Sequence, residues 1–260
     1  MRSVDFFGIP VHSLTLKETF GILDQGKARL IVTPNPEILL NARTNPKFKK
    51  ILLESDLRLP DGHGLLLVST LRKIPTTFLR VLFLAPAYLL FLFYKKPFKK
   101  SFPTLIHGSD FLYPLLEWAE EKKKSIFFLG AAPGVAEKAV HFFQKEFSKL
   151  KVAGFSHEDP NETAIALVKA KKPDLVVVAY GSPKQEFWMH QAAQELPDVE
   201  SFIGIGGALD FWSGHIKRAP LFLRKLGLEW LWRLFLEPKK RFKRIWTAVV
   251  KFPLISLFSE

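Results

Sequence analysis

The sequence contains no cysteine among its 260 residues. Disulfide bonds, thiolate metal sites and cysteine nucleophiles are therefore excluded, and the absence fits a reducing compartment. The first residues, MRSVDFFGIPVHSLTLKE, hold no apolar run long enough for a signal peptide. We therefore expect the first domain to stay in the cytoplasm.

Motifs of several common enzyme classes are also missing. No Asp-x-Asp occurs, so the usual carboxylate pair that holds a divalent metal against a nucleotide diphosphate is lacking. The P-loop, the Gly-x-Ser-x-Gly elbow, His-Glu-x-x-His and the dinucleotide fingerprint G-x-G-x-x-G are absent as well. The sequence thus predicts neither a metal nor a cofactor. Basic side chains and backbone amides would have to stabilise any diphosphate that leaves.

Acidic residues are few beside basic ones, 25 against 38, and the formal net charge is +13. A chain with this net positive charge favours an anionic partner, which can be nucleic acid, an anionic bilayer or a phosphorylated substrate. The basic residues concentrate around 95–100 and 239–251, beside dense Phe, Leu and Trp. Nucleic-acid surfaces combine basic residues with a few aromatic platforms rather than long aliphatic blocks. We therefore predict a membrane surface as partner and no nucleic acid.

An apolar segment, FLRVLFLAPAYLLFLFY, covers residues 78–94 between basic flanks. Its length of roughly 17 residues is at the low edge for a transmembrane helix, and Arg80 and Pro86 both disfavour a simple span. A kinked hairpin or a helix lying in the bilayer interface is the preferred interpretation. The alternative is a buried helical pair in the core or in a dimer interface, which leaves the oligomeric state open.

The tail, residues 226–258, combines a basic block with apolar residues at helical spacing, including Phe242, Ile245 and Trp246. This composition is typical of a monotopic membrane helix. The alternative is a C-terminal helix that docks on its own domain.

Apolar runs alternate with helical patterns between these segments. Strands are predicted at 29–33, 125–130, 151–156, 174–181 and 201–207, with a further strand ending near 57–64. Strand–helix alternation at this spacing predicts a parallel sheet. The predicted fold is α/β, a Rossmann-like parallel sheet flanked by helices with a C-terminal helical membrane-associating appendage. The predicted domains are a core, 1–220, with an apolar insertion at about 74–101, and an appendage, 221–260.

Polar clusters follow several of these strands. Asp61 stands on a tight turn after a proline, where a carboxylate can be positioned as a general base, although it could equally cap the following helix. Gly206 and Gly207 allow a phosphate to approach backbone amides closely. Lys184 and Arg218 carry charges suited to phosphate oxygens.

The ordered motifs resemble one family, the WecG/TagA/CpsF glycosyltransferases. The matching stretches are TPNPE (33–37), DGHG (61–64), FFLGAAPGVAEKA (127–139), GSPKQE (181–186), GGALDFWSGHIKRAP (206–220) and GLEWLWRLFLEP (227–238). Two features depart from the family pattern. His63 occupies a slot that is usually apolar, and residues 74–101 resemble an insertion.

The resemblance implies a metal-independent, inverting glycosyltransferase. It would move an N-acetylmannosamine-like sugar from a UDP-sugar to N-acetylglucosamine on undecaprenyl diphosphate, in bacterial cell-surface polysaccharide or teichoic acid synthesis. The enzyme would work at the cytoplasmic face of the plasma membrane as a peripheral or monotopic protein. The rival hypothesis is a non-catalytic membrane-surface protein that binds a nucleotide or anionic lipids.

The resemblance also implies roles for individual residues. Asp61 would be the general base that deprotonates the acceptor hydroxyl, with Thr33 beside it. The substrate-binding residues would be Asn35, Gly62, His63, Gly181, Lys184, Gln185, Gly206, Gly207, Asp210, Arg218, Arg233, Lys240, Arg241, Lys243 and Arg244. Among these, the C-terminal basic residues would reach the diphosphate.

Overall fold

The computed structural model describes residues 1–226 and 228–259, and only the backbone of Leu92, Leu221, Arg224, Lys225 and Lys240 within them. The chain begins with an antiparallel hairpin that the sequence analysis did not predict, β1 (Ser3–Phe6) and β2 (Ile9–His12). Its two-residue turn, Phe7 and Gly8, has φ values of 60° and 76°. Positive φ at both turn residues matches the right-handed twist of hairpin strands, which explains the glycine here.

A six-stranded sheet forms the centre of the molecule. Its strands are β3 (Leu30–Val32), β4 (Leu57–Arg58), β5 (Ser125–Gly130), β6 (Lys151–Ser156), β7 (Leu175–Ala179) and β8 (Ser201–Gly204). They lie in the order β4-β3-β8-β7-β5-β6, and every neighbouring pair is parallel. The predicted α/β class and parallel sheet are confirmed.

Helices cover both faces of this sheet. They are α1 (Leu16–Asp24), α2 (Pro36–Thr44), α3 (Pro46–Glu54), α4 (His63–Leu71), α5 (Thr77–Leu82), α6 (Leu84–Phe93), α7 (Gly108–Glu121), α8 (Val135–Glu146), α9 (Glu162–Lys171), α10 (Lys184–Glu195), α11 (Leu209–Trp212), α12 (Leu221–Leu226), α13 (Glu229–Leu236), α14 (Pro238–Trp246) and α15 (Phe252–Phe258). A π-helical turn, Thr247–Lys251, joins α14 to α15. Helices α2 and α3 separate at Asn45, because Pro46 restricts the residue before it and Asn45 caps α3 through its side chain.

The strands divide the buried side chains between two hydrophobic cores. Val32, Val176 and Phe202 belong to one core, which also receives Phe48 and Phe252. Their strand neighbours, among them Ile31, Val177 and Ile203, face the other core, built with α7 and α8. Successive side chains of a strand point to opposite faces, so a parallel strand covered on both faces reads as an unbroken apolar run.

The apolar segment 78–94 forms two short helices, α5 and α6, that meet at Phe83. Ala87 and Phe91 pack inward, whereas Phe78 is 76% exposed and Phe93 is 84% exposed. Across residues 1–226 and 228–259, no helix is both long enough and apolar enough to cross a membrane.

The C-terminal helix α15 packs into the core of the sheet domain. Phe252 and Leu257 are fully buried, and the Phe252 ring lies 5.8 Å from that of Phe6. The Arg72 guanidinium donates to the Ser256 carbonyl at 3.0–3.1 Å. The expected separate appendage is therefore not confirmed, since α15 docks on its own domain, as the alternative for the tail proposed. The boundary at residue 220 stays a prediction.

Candidate active site

A cleft of about 1570 Å³ opens at the carboxyl ends of the strands. The segments that follow β3, β4, β7 and β8 line the cleft and are called the sheet wall here, and α13 and α14 also line it and are called the C-terminal wall. Open parallel sheets bind ligands at this edge, because loops from several strands converge there. The cleft brings together the polar motifs that the sequence places far apart.

Thr33 and Asn35 follow β3 and are fixed by backbone contacts. The Thr33 hydroxyl donates to the Gly204 carbonyl at 3.2 Å, which ties β3 to β8. The Asn35 side chain accepts from the amides of Glu37 and Ile38, both at 3.0 Å, and so caps α2. Both residues line the cleft as predicted neighbours of Asp61, and their hydrogen bonds give that wall a fixed shape.

Asp61 follows β4 and faces the cleft. Its backbone amide donates to the Pro34 carbonyl at 3.1 Å, and its Oδ1 lies 2.5 Å from Nδ1 of His107. The alternative that Asp61 caps the following helix is wrong: the N-cap of α4 is Gly62, with no side-chain capping bond. Gly62 has φ of +97°, a conformation that favours glycine.

His107 is a site residue that the sequence analysis missed. It precedes α7, and the Ile106 amide beside it donates to the Pro60 carbonyl at 2.8 Å, which holds His107 against the Asp61 turn. Burial lowers the pKa of His107, but the hydrogen bond and charge of Asp61, together with the charges of Asp110 and Glu229, outweigh this, so the net shift is upward. No local motif marks a histidine whose partner stands 46 residues away.

His63 begins α4 and packs beside this pair. Its ring centroid lies 5.4 Å from that of His107 and 5.2 Å from that of Phe91. Burial lowers the pKa of His63 to about 3, and the positive charges of His107 and Lys95 add to the effect. His63 is therefore neutral at physiological pH. Its contact with Phe91 joins α4 to α6 at the cleft.

Gln185 lies beneath the cleft, 2% exposed. Its carbonyl accepts from the Gly206 amide at 3.1 Å, and its amide donates to Oε1 of Glu186 at 3.0 Å. Both ends of the side chain thus have protein partners, and the carbonyl end holds the turn after β8. Gly181 lines the cleft with φ of +78°. Lys184 is exposed and lines a separate shallow depression instead.

The turn after β8 carries Gly206, Gly207 and Asp210, and all three line the cleft. Gly206 has φ of +55°. A Cβ on Gly207 would stand 3.0 Å from Oδ2 of Asp210 and 3.7 Å from an Arg233 nitrogen. The turn after β8 therefore packs closely against the Arg233 guanidinium of α13.

Arg233 on α13 lines the cleft beside the turn after β8. Its Nε and one terminal nitrogen are buried without a hydrogen-bond partner among the described residues, and its guanidinium lies 4.7 Å from the Phe211 ring centroid. Burial lowers the pKa of Arg233 to about 10, helped by Arg241 and Arg244 and opposed by nearby carboxylates. Buried N–H donors of a cation are costly when unpaired, so this position favours an anionic ligand.

Arg241 and Arg244 on α14 line the same wall. Arg241 pairs with Glu237 at 3.1 Å, and Arg244 pairs with Glu37 at 2.6 Å, which links α14 to α2. The cleft therefore gathers three of the predicted arginines within one wall.

The remaining basic residues lie elsewhere. Arg218 pairs with Asp110 and stands 3.7 Å from Glu229, so it joins α7 to α13. Lys243 is exposed and does not line the cleft, and the Lys240 side chain lies outside the described part of the chain. Within the described residues, no group of three or more His, Cys, Asp or Glu side chains could hold a metal ion.

The family model described as "Glycosyl transferase WecG/TagA/CpsF family" matches residues 4–83 and 87–259. The chain belongs to this family. The match continues through most of residues 74–101, where the sequence had predicted an insertion, and it is interrupted only at 84–86. Membership in a glycosyltransferase family confirms the predicted resemblance and enzyme class.

Two curated relatives carry the same descriptive name, N-acetylglucosaminyldiphosphoundecaprenol N-acetyl-beta-D-mannosaminyltransferase. The protein from Bacillus spizizenii is 34% identical over 97% of this chain and 87% of its own length. The protein from Bacillus subtilis is 33% identical over 92% of this chain and 82% of its own length. The similarity therefore spans the sheet, the cleft and nearly all of the C-terminal wall.

Proposed function

We propose that the protein transfers an N-acetylmannosamine-like sugar from a UDP-sugar to N-acetylglucosamine on undecaprenyl diphosphate. The names of the two relatives support this substrate pair. The observation that carries the proposal is the cleft itself, which is lined both by Asp61 and by Arg233, whose buried guanidinium donors have no partner among the described residues. One wall suits proton removal and the other suits a diphosphate.

The proposed reaction is a single inverting displacement. The acceptor hydroxyl lies on the Asp61 side, where the general base removes its proton. Its oxygen attacks the anomeric carbon, and UDP leaves with the electron pair of the broken bond. Arg233, Arg241 and Arg244 face the growing negative charge of the leaving diphosphate. Guanidinium groups thus supply the stabilisation that a carboxylate-bound divalent metal supplies in other nucleotide-sugar enzymes.

The other polar residues of the cleft have supporting roles in this proposal. Thr33 and Asn35 shape the wall beside Asp61, and Gln185 holds the Gly206 turn against the nucleotide sugar. Backbone groups fix each of these side chains, so their geometry does not depend on the substrate. Lys184, which lines another depression, is the least supported member of the predicted set.

The lipid-linked acceptor gives the apolar helices α5 and α6 a place in this function. Exposed Phe78 and Phe93 would rest in the interface of the cytoplasmic membrane face, with the lysines at 95–100 against anionic headgroups. Tyr88, Leu89 and Phe91 of α6 line the cleft. The polyprenyl diphosphate could therefore pass from the bilayer along α6 to Asp61.

A donor screen tests the proposal. Purified protein is mixed with a synthetic polyprenyl-diphosphate N-acetylglucosamine acceptor and, in turn, UDP-N-acetylmannosamine, UDP-N-acetylglucosamine and UDP-glucose, all with excess EDTA. We expect a disaccharide lipid with the first donor. Calorimetric UDP binding without transfer from any donor would instead support the non-catalytic nucleotide-binding alternative.

A further inference from the structure

The Asp61–His107 pair leaves one ring nitrogen of His107 without a partner among the described residues of the cleft. Oδ1 of Asp61 and Nδ1 of His107 lie 2.5 Å apart, so this side of each group is engaged. Nε2 of His107 makes no hydrogen bond within the described residues, and it is not among the buried atoms that lack a partner. Since His107 lines the cleft, Nε2 is accessible from the substrate side.

We propose that Nε2 of His107 takes the proton of the acceptor hydroxyl, and that Asp61 acts through this imidazole. The inference rests on the proposed function and deepens it by naming the atom that receives the proton. The acceptor O–H bond breaks, and its oxygen bonds to the anomeric carbon. The bond from that carbon to the diphosphate breaks, with its electron pair leaving on UDP. The proton ends on Nε2, while Nδ1–H remains on Asp61.

Two physical arguments favour the imidazole. A carboxylate on Nδ1–H fixes the tautomer whose Nε2 lone pair is free, orients the ring and stabilises the imidazolium that forms. A general base also works best when its pKa is near the working pH. Burial lowers the pKa of His107, but the hydrogen bond and charge of Asp61, with the charges of Asp110 and Glu229, raise it by more, so the net shift is upward from 6.5. His107 thus combines an open lone pair with a basicity above that of an ordinary imidazole.

The titratable groups around His107 come from four segments. They are Asp61 after β4, His63 on α4, Asp110 on α7 and Glu229 on α13. His63 is neutral, because its pKa is lowered to about 3. Arg218 contacts both Asp110 and Glu229, which reduces their influence on the imidazole. Asp61 remains as the carboxylate in hydrogen-bond contact with His107.

The pH dependence of single-turnover transfer tests this assignment. In the wild type, we expect the rate to fall as the pH drops through a value above 6.5, because a protonated imidazole cannot accept another proton. His107→Gln keeps a donor for Asp61 but has no basic nitrogen. It should lose about 10²- to 10⁴-fold in rate and lose this acidic limb. A side chain with a purely structural role would lower the rate without removing the limb.

His190→Gln is the matched control. His190 pairs with Glu54 at 2.8 Å on the outer surface, so the variant also breaks a histidine–carboxylate pair but lies outside the cleft. Its pH profile should coincide with that of the wild type. If His107→Gln retains the acidic limb at the wild-type position, the inference is overturned and Asp61 acts directly.

A measurement without turnover separates this inference from the proposed function. Imidazole signals of the wild type, assigned with His107→Gln, are titrated by NMR, and the titration is repeated in Asp61→Asn. We expect the His107 pKa to lie above 6.5 and to fall in Asp61→Asn. If the His107 pKa is the same in the wild type and in Asp61→Asn, the inference is overturned, whether or not transfer occurs. If the His107 pKa falls in Asp61→Asn as expected but the wild type transfers no sugar, the proposed function is overturned instead.

Discussion

The two walls of the cleft are built in different ways. On the sheet side, polar groups already have protein partners: Thr33 bonds Gly204, and Gln185 bonds the Gly206 amide. On the C-terminal side, Arg233 buries N–H donors that have no hydrogen-bond partner among the described residues. Satisfied polar networks fix a geometry, whereas unsatisfied buried donors raise the energy of the empty site. The sheet wall thus has a geometry fixed by protein contacts, and under the proposed function a diphosphate would complete the C-terminal wall.

The packing of the two walls differs in the same sense. Helix α4 behind Asp61 buries most of its residues, whereas none of the residues of α13 is fully buried. Helix α15 secures the far end of the C-terminal segment through Phe252 and Leu257. Low burial is typical of the less stable parts of a domain. This contrast between the walls can be tested by mutation.

Asp61→Asn should produce the largest effect, because it removes the carboxylate of the sheet wall. We expect kcat to fall by about 10²- to 10⁴-fold, since the amide cannot serve as or sustain a general base. UDP affinity should stay unchanged, because the arginines of the C-terminal wall are not altered. Single-turnover kinetics and calorimetry measure the two quantities. Asp198→Asn, at an exposed position, is the control. Transfer at the wild-type rate by Asp61→Asn would refute the assignment of Asp61.

Phe252→Ala should produce the next largest effect, on stability. Phe252 is fully buried, and its ring packs on those of Phe6 and Phe7. Loss of a buried phenylalanine costs about 3–5 kcal/mol in the free energy of unfolding. Urea denaturation measures this loss, and Phe242→Ala, at a 64% exposed residue of the same segment, should stay close to wild type.

An unchanged free energy of unfolding in Phe252→Ala would show that α15 is dispensable for the core. That result would restore the separate appendage that the sequence predicted. The structure instead leads us to expect that deletion of residues 221–260 destabilises the sheet domain, since it removes Phe252 and Leu257 from the core.

The fold follows largely from local patterns in the sequence. Apolar runs such as Val176–Val178, buried on both sides, predict parallel strands without reference to the rest of the chain. The N-terminal hairpin was missed because its strands are short and its turn contains Phe7 at positive φ, a conformation that sequence does not suggest. The docking of α15 was only the alternative interpretation of the tail, because an amphipathic tail has the same pattern whether it faces a bilayer or its own core.

The site was predictable only in part, for a related reason. Asp61 could be found because proline and glycine flank it and mark a turn at a strand end. His107 could not, because its importance arises from a contact with a residue 46 positions away. The basic residues of the C-terminal segment were predicted as a group, but helical geometry decides which of them face inward: Arg241 and Arg244 line the cleft, and Lys243 does not.

Arg233→Ala should have an intermediate effect, which is confined to UDP binding at the C-terminal wall. Loss of a buried, charge-assisted hydrogen bond to the diphosphate costs about 1.5–3 kcal/mol, so UDP should bind about 10- to 100-fold more weakly. The empty protein should be no less stable, because the unpaired donors are removed. Calorimetry with UDP and urea denaturation measure both effects, and Lys239→Ala controls for the lost charge. Unchanged UDP affinity in Arg233→Ala would remove Arg233 from the diphosphate site.

The smallest effect is expected at the apolar helices α5 and α6, which extend the cleft toward the proposed membrane. Phe93 is 84% exposed, and transfer of a phenylalanine side chain out of water is worth at most about 1.5–3 kcal/mol. Interfacial burial is partial, so Phe93→Ser should weaken flotation with anionic vesicles by about threefold to tenfold. Phe155→Ser changes an exposed phenylalanine on the edge strand β6 and should float like the wild type. As a control for intact protein, the rate of transfer to a soluble, short-chain acceptor should be the same in the wild type and both variants. Equal flotation of the three proteins would exclude α6 from the membrane contact.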